Sequence, residues 1–452
     1  MTTAVAPKPA ARSRGRRIAV VTGVLLLVTA ATAAAALVLG EIVTDGPHAP
    51  AASGPEPGLD LTTRFLLVVV LLLVVIRCLR AVARWVAQPP VVADIVAGIL
   101  LGPTVLGAAA PGFSAWLLPE QVLDGLALTA HLGLVVFMFV LGCELPTDRL
   151  RELAGTTWIV SLASLAVPFA CALLLAVPLY GEHAGDGVPF LAFALFVGVA
   201  LSMTALPVLA SILRSRRMLD TSTGAMALTA AVGGDVVAWS ALGFVLAALG
   251  SSGPADAAGA LLLTALLVVL MLRVVRPVFT MLVRRCDEGR LAPDVLLALL
   301  LVGATGAALA TSLIGVHAAF GAFLFGALLP RGSVRLGELG RRLESVVEAL
   351  LLPFFFAHVG LQTSLGLLLG APSGWWWALA VTTVAVVTKL LGVGGAARVC
   401  GVPPAQAWRL GVLMNCRGLT ELIVANVKYS PTPGATVNDT AASPSRASIP
   451  VT

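Results

Sequence analysis

Few residues in this chain can carry charge inside its apolar stretches. Asp94, His131, Asp235, His317, His358, Lys389, Arg417 and Glu421 lie within them, and Glu144 and Glu348 stand near their ends. At the centre of a bilayer such a group costs about 2.5 to 3.5 kcal/mol on insertion scales, so each one needs a partner or a task. Asp235 is the sharpest candidate. It falls near the middle of Gly224–Leu249, directly after Gly233 and Gly234, in Ala-Val-Gly-Gly-Asp-Val-Val-Ala-Trp. A carboxylate in that setting is suited to hold a proton and a hard cation in turn. The plainer reading is a structural Asp paired with Lys389 or Arg417, and the two readings are compatible.

Two stretches carry the marks of interrupted helices. Ser202-Met203-Thr204-Ala205-Leu206-Pro207 sets hydroxyls and a proline into an apolar run, and Asn415-Cys416-Arg417-Gly418 does something similar in the last one. Breaks of this kind in both halves of a chain point to an ion site at the midplane, where freed carbonyls and half-helix ends face the ion. Thr204 and Ser202 therefore join Asp235 as ion- or proton-binding candidates, and Pro207, Asn415 and Gly418 mark the breaks. A kink with a packing role is the alternative for each. Arg417 and Glu421, spaced i, i+4, share a helix face and read first as mutual neutralisers. Lys389 is a further proton-coupling candidate, because a buried amine changes protonation state readily. His317 and His358 have no second histidine at ligand spacing. The six cysteines form no C-x-x-C pair, so no metal site and no cofactor is expected.

These residues sit in a chain that is 58% hydrophobic and only 12% charged, against roughly 25% charged for soluble domains. The apolar residues form about thirteen runs, most of them close to the length needed to cross a bilayer. Phe65–Ile76 is apolar on every face, which excludes the alternating pattern of an outer-membrane barrel. The fold class is an all-α polytopic membrane bundle. Its expected spans include 18–40, 190–212, 258–275, 346–367 and 405–427.

The formal charge of +6 does not gather on one face, so nucleic acid is not an expected partner. Counting alternate connections sorts the basic residues by side. Arg14, Arg16 and Arg17; Arg77, Arg80 and Arg84; Arg214, Arg216 and Arg217; Arg284, Arg285 and Arg290; and Arg341 and Arg342 all fall on one side. The opposite loops carry Glu41, Asp45, Glu120, Glu182 and Asp256. The N-terminus is expected in the cytoplasm of a multi-pass cell-membrane protein. Residues 1–61 read as a basic tail, an extra membrane helix and the Pro- and Gly-rich linker Gly46–Gly58; a signal peptide is the alternative for the apolar run. Residues 62–427 read as the main membrane domain and 428–452 as a polar, low-complexity tail.

The motifs within 62–427 resemble a family. Gln88-Pro89-Pro90-Val91-Val92 through Gly98 to Pro103, Gly142-Cys143-Glu144-Leu145, Ala200 to Ala205, Asp235-Val236-Val237-Ala238-Trp239, His317 to Phe323, Leu352 to Phe356 and Asn415 to Leu422 are similar, in order, to the sodium/proton exchanger domains of the second cation:proton antiporter family. The resemblance implies an inverted-repeat core with two crossed, discontinuous helices beside a dimerisation domain, and hence a homodimer. It implies a crossing at Thr204 and Asn415–Gly418, Asp235 beside it as ion carrier, and Lys389 as the core lysine. The chain departs from the pattern twice. Gly234 stands where the family has Asn or Asp, and Lys428–Thr452 is polar where the family has a further helix.

The function expected from this is secondary exchange of Na⁺ or K⁺ for H⁺ across the bilayer, with no bond hydrolysed and no enzyme activity. A passive cation channel, a truncated remnant that does not transport and an intramembrane aspartyl protease are the alternatives. Tyr180 and Tyr429 fall outside mid-span positions, which disfavours the protease.

Overall fold

The computed structural model describes residues 60–145, 154–183, 189–248, 254–363 and 374–417. The expected N-terminal helix at 18–40, Glu421, Gly418 and the polar tail lie outside the described residues. Every regular element among them is helical. The order is α1 (Leu61–Trp85), α2 (Pro90–Leu101), two short helices α3 (Leu106–Ala109) and α4 (Pro111–Leu117), α5 (Glu120–Glu144), α6 (Ala154–His183), α7 (Phe190–Ser202), α8 (Leu206–Ser215) and α9 (Ser222–Ala248). There follow α10 (Pro254–Leu270), α11 (Arg276–Asp287), α12 (Pro293–Ile314), α13 (Ala318–Leu328), α14 (Val334–Val346), α15 (Leu352–Leu361), α16 (Gly374–Val399) and α17 (Pro404–Leu413). Nine described helical stretches are long and apolar enough to cross a membrane.

Several boundaries differ from the sequence expectation. The run at 258–275 continues through a π-helical turn at Met271–Val275 into α11 and ends at Asp287. An apolar pattern marks where a helix meets lipid, whereas Arg276, Arg284 and Arg285 extend the same helix beyond it. The run at 346–367 likewise begins earlier, at Val334, and passes through a second π-turn at Val347–Leu351. Pro opens α2, α12 and α17 in their first two positions, where its missing N–H would be unsatisfied in any case, whereas Pro277 and Pro353 closely follow the two π-turns inside continuous helices.

The chain divides into two compact units, Met1–Gly133 with Glu348–Gly366, and Leu134–Val347 with Leu367–Thr452. In the first, Val68, Leu72, Val75 and Ile76 of α1 pack with Ala93, Ala97 and Leu101 of α2 and with Phe354, Ala357 and Leu361 of α15. Lipid tails give no hydrophobic drive between helices, so close backbone approach does the work. Gly98 and Gly360 provide it, since a Cβ on Gly98 would collide with the Ala357 carbonyl and one on Gly360 with the Ile95 carbonyl. The second unit repeats the device. Gly142 of α5 lies against the Phe323 carbonyl of α13, and Gly326 against the Phe139 carbonyl.

Candidate functional site

The second unit holds the interrupted helix expected at 190–212. α7 ends at Ser202, the backbone runs extended through Met203 (φ −64°, ψ 153°) to Ala205 (φ −71°, ψ 95°), and α8 begins at Leu206. Pro207 does not kink a continuous helix. It sits at the start of α8, where a fixed φ favours the first turn. α17 stops at Leu413, and Met414 to Arg417 leave the helical path.

The two breaks are tied to each other. Ala205 N–H donates to the Cys416 carbonyl at 2.9 Å, and the Thr204 hydroxyl donates to the Met414 carbonyl at 3.2 Å. Unwinding orphans backbone groups, and buried orphans must find partners; here each break supplies them to the other. α16 fastens the arrangement from the side. Lys389 Nζ donates to Thr204 Oγ1 at 2.5 Å, and Asn415 Nδ2 donates to the Val386 carbonyl at 3.1 Å. Arg417 donates to the carbonyls of Leu201, in the last turn of α7, at 3.0 Å and of Ala385 at 3.2 Å. A guanidinium at a helix C-terminus meets the negative end of the helix dipole.

Asp235 is carried by α9, which packs against α6, α7 and α17. Its side chain is partly buried, and the charge of Lys389 acts on it. The hydrogen bond of the amine goes to Thr204 rather than to the carboxylate, so the expected Asp235–Lys389 pair is not a direct contact at this site. Lys389 is wholly buried, and Ser202 and Thr204 are nearly so. The Ser202 hydroxyl donates within its own helix, to the Val199 carbonyl at 3.0 Å. The Asn415 side-chain oxygen is buried and accepts no hydrogen bond from a described residue. Beside the break stand an amide oxygen, a hydroxyl and the Lys389 amine, with the Asp235 carboxyl within reach of the amine's charge; oxygen groups of this kind suit a proton or a hard cation rather than a soft transition metal. No cluster of three or more His, Cys, Asp or Glu occurs among the described residues.

The other membrane-level ionisable residues are engaged elsewhere. Asp94 accepts two hydrogen bonds from Arg80, each 2.6 Å long, inside the first unit. This pair was not legible in the sequence, where Arg80 read as a loop residue; α1 runs on to Trp85 and carries it back to Asp94 across the Gln88-Pro89-Pro90 turn. His358 bonds Gln362 at 3.0 Å and His131 the Ala127 carbonyl at 2.7 Å. His317 caps α13 by accepting from Ala319 N–H. Glu144 pairs with Arg214, the basic residue in the last turn of α8.

Sequence comparison places these features in a family. The model for "Sodium/hydrogen exchanger, transmembrane" matches residues 66–435. The Na(+)/H(+) antiporter NhaS4 of Synechocystis is 35% identical over 370 residues, covering 81% of this chain and 90% of that one. Cation/H(+) antiporter 18 of Arabidopsis thaliana is 35% identical over 363 residues, 80% of this chain, but the chain spans only 44% of its length. In fold, the chain is similar to the sodium proton antiporter MjNhaP1 from Methanocaldococcus jannaschii, with a TM-score of 0.51 and 17% identity over 84% of this chain and 90% of that one. The chain belongs to the transmembrane sodium/hydrogen exchanger family.

Proposed function

We propose that this protein exchanges a monovalent cation, Na⁺ or K⁺, for H⁺ by alternating access, with residues 62–427 as the exchanger domain and the Asp235 carboxylate as the site shared by the two ions. One observation carries the reading most directly. The two helix breaks are bonded together at Ala205 and Cys416, and beside them the buried Lys389 amine donates to Thr204 while its charge acts on the Asp235 carboxyl.

In this arrangement the cation takes the carboxylate oxygens, with Asn415 Oδ1 and the Thr204 hydroxyl as further oxygen ligands. Proton binding to Asp235 removes its charge and releases the cation. Lys389 donates to Thr204, and its charge acts on Asp235 across the site. The helix dipoles that end at the breaks offset the charge at mid-membrane. The names of the relatives, Na(+)/H(+) and cation/H(+) antiporters, support the ion class without choosing between Na⁺ and K⁺. The protein works in the cell membrane with its N-terminus cytoplasmic, as a homodimer.

Proteoliposomes loaded with a pH-sensitive dye test the reading. Addition of Na⁺ or K⁺ to the outside is expected to drive H⁺ out of the lumen. Cation entry without coupled proton movement would instead indicate a passive channel.

A further inference from the structure

The residue directly before Asp235 is the second of two glycines, and adjacent glycines are a poor way to hold a helix in place. Something outside α9 therefore has to fix this turn if Asp235 is to stand at a defined point. Ser161 and Leu165 of α6 lie against it, and Ser161 is the polar one. The Ser161 hydroxyl is buried and donates to the Ala230 carbonyl at 2.8 Å. That carbonyl is the one an α-helix assigns to the N–H of Gly234, four residues on. A Cβ built on Gly233 would lie 3.1 Å from Ser161 Oγ, and one on Gly234 3.8 Å from it. Gly233 thus lets the hydroxyl approach the main chain just before the carboxylate. Ser161 is itself held, since Ser164 Oγ donates to its carbonyl at 2.9 Å.

We propose that Ser161 is a positioning residue of the exchange site, fixing the Ala230–Gly234 turn so that Asp235 meets the cation in one geometry. The proposal rests on the reading of Asp235 given above. A bond that only holds the fold together would change melting and leave ion affinity alone. A bond that places the carboxylate changes the apparent affinity for the cation and the pH profile of exchange.

The experiment compares wild type, Ser161→Ala, Gly233→Ala and the double variant in proteoliposomes, with detergent melting alongside. Ser161→Ala is expected to raise the KM for the cation about threefold to tenfold, the scale of one lost hydrogen bond, and to shift the pH profile. Gly233→Ala is expected to lower the melting temperature in the wild-type background. In the Ser161→Ala background it should raise the melting temperature instead, because the atom it meets is gone, the next, Ser161 Cβ, lies at an ordinary 3.8 Å, and alanine favours a helix interior over glycine. If Ser161→Ala does not fold, Ser161→Cys, a weaker donor of similar size, is measured in its place and is expected to raise KM as well. A folded Ser161 variant with wild-type KM and pH profile overturns the positioning role while leaving the exchange reading intact. A wild type that shows no cation-driven proton flux removes the exchange reading, and the positioning role with it.

Discussion

Lys389 and Thr204 are 185 residues apart in sequence, yet the lysine amine donates to the threonine hydroxyl at 2.5 Å in a wholly buried setting. This bond joins the side of α16 to the break between α7 and α8. Removing the hydroxyl takes an acceptor from a buried cation, and hydrogen bonds to charged groups are worth about 1.5 to 3 kcal/mol. Thr204→Val is expected to lower the detergent melting temperature and the exchange rate, whereas Thr204→Ser keeps both near wild type. Equal melting of the two variants would show that the hydroxyl does not hold the amine.

The Arg80–Asp94 pair makes the opposite forecast for transport. Asp94 is 1% exposed, and breaking a buried pair by removing one partner costs about 3 to 5 kcal/mol. Arg80 retains 20% side-chain exposure, so Asp94→Asn, which strands a part-hydrated cation, falls toward the lower end. Melting is expected to drop, and Arg80→Met with Asp94→Leu to recover most of the loss. The exchange kinetics of the protein that folds should keep their wild-type pH profile. A changed profile would place this pair in the transport cycle.

The glycines of the second unit separate packing from chemistry. An alanine at Gly142 or Gly326 would press into the carbonyls of Phe323 or Phe139, which are backbone atoms and cannot swing aside. Overpacking of this kind costs about 1 to 3 kcal/mol, read as lower yield and melting. Gly234→Ala should fold normally, since its Cβ would find its nearest neighbours at 3.8 Å.

How much of this was legible beforehand depended on range. The break at Met203–Ala205 announced itself locally, through hydroxyls and a proline within an apolar run, although the proline proves to open α8 rather than bend a helix. Asp235 stood out because a single carboxylate in an apolar segment has no cheap explanation. The Lys389–Thr204 bond and the Ser161–Ala230 bond were invisible. Both join residues far apart in sequence, and neither a buried serine nor a mid-helix lysine carries a local pattern naming its partner. The extension of α10 into α11 was hidden for another reason: hydropathy reports lipid contact, and the helix outlasts it.

Orientation can be checked without transport. Ser215, exposed at the end of α8, lies among basic residues that the charge asymmetry of the loops assigns to the side expected to be cytoplasmic. A single cysteine placed there in a background lacking the native cysteines should react with an impermeant reagent from the cytoplasmic face only. Labelling from the outside alone would invert the topology.

Because the proton and the cation are taken to compete for one carboxylate, apparent cation affinity should weaken about tenfold for each pH unit below the pKa of the group, as single-site competition requires. Asp235→Asn keeps the volume and most of the hydrogen-bonding capacity while removing the titratable charge. Cation-driven proton flux in proteoliposomes at several pH values, measured for wild type and for folded Asp235→Asn, is therefore the most direct test. The expected result is pH-dependent competition in wild type and loss of coupled exchange in the variant. Full, pH-coupled exchange by Asp235→Asn would contradict the assignment of Asp235 as the shared ion site.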